Sequence, residues 1–150
     1  MSRWISPPVA FVIAAVAMWW IGRTVQFGRF QFAYQSAFGI ALIVLGLAIV
    51  AVSLRSFARA GTTPNPLHPR NATELVTSGA YGVSRNPMYV GDAVALAGIA
   101  VWLGSLPSLL PVAAFVVYID RVQIAAEEEA MMEKFGERYA AYRRQVRRWL

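Results

Sequence analysis

The sequence has no cysteine and a single histidine, His68. These two scarcities exclude disulfides, thiolate catalysis, cysteine-ligated metals and any multi-histidine metal centre within one chain. Charge is also sparse: 15% of the 150 residues are charged, against roughly 25% in soluble domains. The acids number eight, and the first of them is Glu74. Hydrophobic residues make up 57%, gathered in blocks, and mean hydropathy is +0.47. Such a chain is expected to form one integral membrane domain, residues 1–150. The net charge of +6 does not call for nucleic acid, because the basic residues flank the apolar blocks. An anionic, cytoplasmic membrane face suits them better.

The blocks predict an all-α fold with about four transmembrane helices. Residues 4–21 are apolar apart from Ser6, Pro7 and Pro8, and end in Trp19 and Trp20, which suit an interfacial aromatic belt. A secretory signal would need a small-x-small cleavage site, and none follows, so this block reads as a membrane helix. Residues 22–36 form a polar, aromatic connection with Arg23 and Arg29. Residues 37–54 are uncharged and about as long as a bilayer core requires, with Arg55 and Arg59 closing them. A loop with three prolines, residues 61–71, follows. Residues 88–103 are apolar except for Asp92, and a turn at Gly104, Ser105 and Pro107 leads into residues 106–119. Together these read as a helical hairpin whose second helix runs on past Asp120. Asp92 is expected in the first turn of its helix, in a structural role.

With four spans and both ends cytoplasmic, only Arg23 and Arg29 of the fourteen basic residues lie outside. The opposite orientation reverses that distribution, so the positive-inside rule selects the first. In the tail, Met132, Phe135, Tyr139, Tyr142, Val146 and Trp149 recur at spacings of three and four. Lys134, Arg138, Arg143, Arg144, Arg147 and Arg148 fill the intervening positions. The pattern predicts amphipathic helices, broken at Gly136, that lie on the bilayer or cap the cytoplasmic loop.

Residues 75–91 are neither a greasy helix nor a simple linker. Gly79 and Gly82 permit tight backbone, Pro87 fixes φ, and Tyr81, Arg85, Asn86 and Tyr89 carry hydrogen-bonding groups. Irregular backbone at membrane depth usually lines a cavity, so this stretch is expected to surround a small polar molecule; a plain connection is the alternative. Glu127 and Glu128 lie just beyond the last span, where an acid can attract a cation or hold hydroxyls. Read without other context they belong, with Glu129 and Glu133, to a solvated acidic helix face. Met88, Met131 and Met132 read as packing residues, and His68 as a surface group.

The run Leu75-Val76-x-x-Gly79-x-Tyr81, then Arg85-Asn86-Pro87-Met88-Tyr89-x-Gly91, resembles the cofactor loop of the isoprenylcysteine carboxyl methyltransferase family, which is related to the phospholipid methyltransferases. Its second signature is similar to Glu127-Glu128-x-x-Met131-x-x-x-Phe135-Gly136-x-x-Tyr139-x-x-Tyr142, and the ending Val146-x-Arg148-Trp149-Leu150 also fits. The resemblance covers residues 57–150; the two spans in residues 1–56 match by hydrophobicity alone. It implies S-adenosylmethionine bound at the cytoplasmic face, beneath the C-terminal helices, in the inner membrane of a bacterium. The acceptor it implies is a lipophilic or prenylated molecule reached through membrane lipid.

Position by position, the resemblance assigns the cofactor to Thr73, Glu74, Leu75, Val76, Tyr81, Asn86, Pro87, Met88, Tyr89 and Glu127. Catalytic roles fall to Glu127, Arg85 and Asn86. Eukaryotic members of that family have His at the place of Asn86. They also have Arg, linked to the substrate carboxylate, at the place of Gln123. An isoprenylcysteine-type carboxylate is the family's acceptor. A phospholipid amine or a small thiol on the same scaffold is the alternative, and a non-catalytic membrane subunit is another.

Overall fold

A computed structural model of the chain describes residues 5–61 and 74–150. Thr73, His68, Arg70, the three loop prolines, Arg3 and Trp4 lie outside the described residues. Helix α1 spans Pro7–Thr24, with prolines in its first turn, where the backbone N–H has no helical partner to lose. Helix α2 spans Gln35–Arg59. Its 25 residues measure about 37 Å, longer than a bilayer core of roughly 30 Å. Arg55 and Arg59 are therefore carried beyond the apolar zone on the same rod. Helix α3 spans Pro87–Leu103 and stops at Gly104, whose φ of 62° is left-handed.

After a 3₁₀ turn at Leu106–Ser108, α4 (Leu109–Tyr118) continues through a π-helical segment, Ile119–Gln123, into α5 (Ile124–Phe135). Gly136, with φ 51°, ends that rod, and α6 (Glu137–Gln145) turns back. The tail thus breaks at Gly136 as its sequence predicts. The fold is all-helical, and no strand forms among the described residues. Three helical rods are long and apolar enough to cross a membrane; α3, at 17 residues, is a shorter apolar helix. Asp92 corrects one expectation. It is the sixth residue of α3, beyond the first turn, so the exposed N–H groups of the helix start do not explain it.

Helix α2 leans on α3 through a seam of small residues. A Cβ on Gly98 would lie 2.8 Å from the carbonyl oxygen of Gly39, and one on Gly91 would lie 2.6 Å from that of Gly46. The two backbones approach so closely that no side chain fits between them, the packing mode by which apolar helices associate in lipid. Helices α1 and α4 pack on each other and on α3 around Met18, Leu96, Phe115 and Ile119. Val44, Leu47 and Val52 of α2 point outward, where acyl chains would cover them.

At one end of the bundle, the α1–α2 connection pairs with the α3–α4 turn. Phe30 N donates to Gly104 O at 3.0 Å, and Leu106 N donates to Gly28 O at 3.0 Å. The residue 75–86 loop, α5 and α6 gather at the other end. Single cysteines at Ser78 and at Gln31, both exposed, are expected to react with a membrane-impermeant maleimide from opposite sides. Labelling of both from one side would overturn the four-span arrangement.

Candidate functional site

Gly79 adopts a left-handed φ of 64° and starts the 3₁₀ turn Gly79–Gly82, which drives Tyr81 inward. Its ring meets Phe57 of α2 edge-on, with centroids 5.0 Å apart, and its carbonyl accepts a hydrogen bond from Tyr142 Oη at 2.7 Å. Burial, with Glu127 and Tyr142 adding to it, pushes the Tyr81 phenol well above its ordinary pKa. It stays a hydrogen-bond donor throughout the physiological range. Val76 is buried, Leu75 half-buried and Glu74 exposed.

Pro87 opens α3 and is buried, Met88 is half-buried, and Tyr89 turns into the core. Tyr89 Oη donates to Glu127 Oε1 at 2.6 Å, and Gln123 Nε2 donates to the same oxygen at 2.7 Å. The other carboxylate oxygen, Oε2, has no partner among the described residues. Gln123 ends the π-helical segment; such widened turns recur at functional sites. Glu127 is thus held by two donors on one oxygen.

Its neighbour Glu128 projects about 100° around the helix and does something else. It is buried, accepting from Arg85 Nη2 at 2.8 Å and from Arg148 Nη2 at 2.6 Å. Arg148 also reaches Asp120 Oδ1 at 3.2 Å, and Trp149 Nε1 donates to that same oxygen at 2.9 Å. Backbone contacts complete the clamp. Arg85 N donates to Arg147 O at 2.9 Å, and Asn86 Nδ2 donates to Arg148 O at 2.9 Å. Burial, reinforced by Glu128, pushes the Tyr139 phenol of α6 up to about 12. Residues 146–149 therefore lie as a strap across the loop at Ser84, Arg85 and Asn86.

Of the expected site residues, Tyr81, Tyr89 and Glu127 converge. Arg85 and Asn86 meet the strap, with Arg85 at Glu128 rather than Glu127. Glu74 faces away into solvent. Sequence reasoning gave no role in the site to Asp120, Arg148 or Trp149, and did not foresee Gln123 as a donor to Glu127. The Glu128–Arg148 partners are 20 residues apart, a separation that no helical spacing marks. Arg148 and Trp149 entered only through the resemblance of the chain's ending. Among the described residues no group of three or more histidines and acids could hold a metal ion.

An all-helical bundle with three rods long and apolar enough to span a membrane, and a polar, aromatic cluster bound up with its C-terminal helices, defines a membrane-embedded protein. The phospholipid methyltransferase family model matches residues 34–138, and the chain belongs to that family. The match begins at α2, earlier than residue 57, and ends before the strap. The chain is 27% identical to protein-S-isoprenylcysteine O-methyltransferase B of Arabidopsis thaliana over 97% of this chain and 74% of that one. It is 33% identical to phosphatidyl-N-methylethanolamine N-methyltransferase of Saccharomyces cerevisiae, over 60% of this chain and 43% of that enzyme. An uncharacterized protein of Haemophilus influenzae is 40% identical over 42% of this chain and all of its own length. No solved structure matches. Family and fold together define a membrane methyltransferase.

Proposed function

We propose that the protein transfers a methyl group from S-adenosylmethionine to a lipophilic acceptor at the cytoplasmic face of a bacterial inner membrane. The observation that carries this reading is the partly buried Tyr89–Glu127 pair, whose carboxylate keeps one oxygen for a ligand. The donor set fits the cofactor. An acceptor-only oxygen suits ribose hydroxyls or an ammonium group, and the aromatic faces of Tyr81 and Tyr89 suit a cation. Leu75, Val76, Pro87 and Met88 would supply the apolar wall, and Asn86 the amide. Glu74 lies at the outer end of the same strip.

S-adenosylmethionine, when bound, supplies a methyl already activated on a sulfonium. The protein's task is then orientation and exclusion of water. Glu127 orients, while Tyr81 and the strap close the recess from the aqueous side. Arg85 acts by holding Glu128 and the strap in place. The positive-inside rule puts loop and tail in the cytoplasm, and the apolar flanks of α2 and α4 leave the acceptor a route through lipid. In support, the two enzymes related to this chain act on an isoprenylcysteine and on a methylated phosphatidylethanolamine.

A carboxylate acceptor needs no base, because it is ionised at neutral pH. An amine or thiol does need one, and Gln123 favours this second reading. A neutral amide bonded to Glu127 leaves no cation there to grip a carboxylate. Lipid extracts incubated with purified protein and isotopically labelled methyl donor are expected to yield a labelled lipophilic product by mass spectrometry. With chemistry limiting, a carboxylate acceptor gives rates nearly flat from about pH 6 to 8, given reference values near 4. An amine or thiol acceptor gives a rise approaching tenfold per pH unit. Absence of any labelled product would sink the reading.

A further inference from the structure

The methyl-transfer reading leaves unexplained the opposite end of the bundle. All eight acids of the chain lie at Glu74 or later, and the one in α3, Asp92, is eleven residues or about 16 Å of helix from Leu103. The far end therefore has no carboxylate, yet it carries Arg23 and Arg29, both exposed and neither in an ion pair among the described residues. Both line a recess of about 320 Å³ together with Gly22, Trp102 and Leu103. Arg29 also borders a neighbouring recess of about 670 Å³.

The two guanidinium groups are held differently. Arg29 Nη2 donates to Gly22 O, which uses one of five N–H donors. Arg23 stacks over Trp19, with its guanidinium carbon 5.0 Å from the ring centroid. A helix C-terminus attracts cations, and the ends of α1 and α3 account for part of this placement. They do not account for a recess, or for donors left over. Trp19, Trp20 and Trp102 are 47%, 63% and 51% exposed at this level, and such a belt marks the headgroup zone of a bilayer. A group that enters the recess thus comes from lipid at headgroup depth.

We propose that Arg23 and Arg29, with Trp102 between them and the acyl region, form a seat for the phosphate of an anionic phospholipid on the face opposite the Tyr89–Glu127 pair. The guanidinium forks recognise the phosphate oxygens, and the tryptophans contact the glycerol and upper acyl chain. A lipid seated there fixes the depth of α1 and α3 and braces the α1–α2 connection against the α3–α4 turn. The proposal depends on the membrane reading and not on methyl transfer.

The test uses full-length protein in nanodiscs that contain phosphatidylglycerol with a photoreactive group beside its phosphate. After illumination, adducts are mapped by mass spectrometry. Adducts are expected within residues 22–37 and 101–106. Unlabelled phosphatidylglycerol should suppress them, while phosphatidylcholine at the same fraction and millimolar inorganic phosphate should not. Arg23→Gln combined with Arg29→Gln should reduce them roughly tenfold or more, given the attraction of two basic side chains to anionic lipid. Adducts on the basic helix α6 should persist as the internal reference. The competition arms need only the wild-type protein, so they stand even if the double variant folds poorly. Equal suppression by phosphatidylcholine, displacement by inorganic phosphate, or unchanged adducts in a folded double variant would each overturn the seat.

Discussion

Glu127→Ala is expected to weaken S-adenosylmethionine binding by tenfold or more, and to remove methyl transfer with it. Two effects act together. A charge-assisted hydrogen bond to the ligand is lost, worth about 1.5–3 kcal/mol. The Tyr89 hydroxyl and Gln123 amide that share Oε1 lose their common acceptor as well. A buried donor without a partner costs about 1–3 kcal/mol, so the side chains around Tyr89 will also shift. Glu127→Gln keeps the shape and should recover part of the affinity. Glu129→Ala, at an exposed neighbouring position, should leave it unchanged. Calorimetry on detergent-solubilised protein measures all three, and unaltered affinity in Glu127→Ala refutes the role.

Glu128→Ala should instead act on the fold. The carboxylate is about 10% exposed and sits between Arg85 and Arg148. Its removal leaves two guanidinium groups facing each other at low dielectric. Breaking a buried pair from one side costs about 3–5 kcal/mol; with Arg148 one-third exposed, the lower end of that range applies. The strap should detach, and trypsin should cut after Arg147 and Arg148 much faster than in the parent. Glu128→Gln should fall between the two. A melting temperature and cleavage rate equal to wild type would show that the clamp contributes nothing. Ligand binding should fall in this variant too, but in parallel with the loss of stability, whereas Glu127→Ala should bind poorly while remaining folded.

The two carboxylates show where sequence reading works and where it stops. Spans and hairpin were legible because lipid demands long uncharged runs, and those runs are visible one residue at a time. Gly136 was legible as a break for a similarly local reason. The division of labour between Glu127 and Glu128 was not legible. Adjacent acids on a helix face different ways, and what each meets depends on Tyr89, Gln123, Arg85 and Arg148, which come from four separate segments. Asp92 was expected in the first turn because it follows Tyr89 by only three residues, but α3 begins at Pro87 and Asp92 is its sixth residue. The α2–α3 seam was not anticipated at all. Gly39, Gly46 and Ser53 repeat every seven residues, but the meaning of that spacing emerges only against Gly91 and Gly98 on the partner helix.

The strap also has a consequence for biosynthesis. Asn86 waits for a carbonyl 62 positions further along the chain, and Ser84 for one 64 positions further. Helices α1 to α3 can enter the bilayer as they emerge, and α2 packs on α3 without waiting for the rest of the chain. The stretch from Ser84 to Asn86 must wait. Until α5 emerges Arg85 stays unneutralised, and until the strap emerges Ser84 and Asn86 lack their carbonyl partners. Such long-range closure is slow compared with helix formation. A newly inserted molecule thus passes through a stage that is embedded in the membrane yet lacks its strap, and a membrane protease could distinguish it from the finished protein.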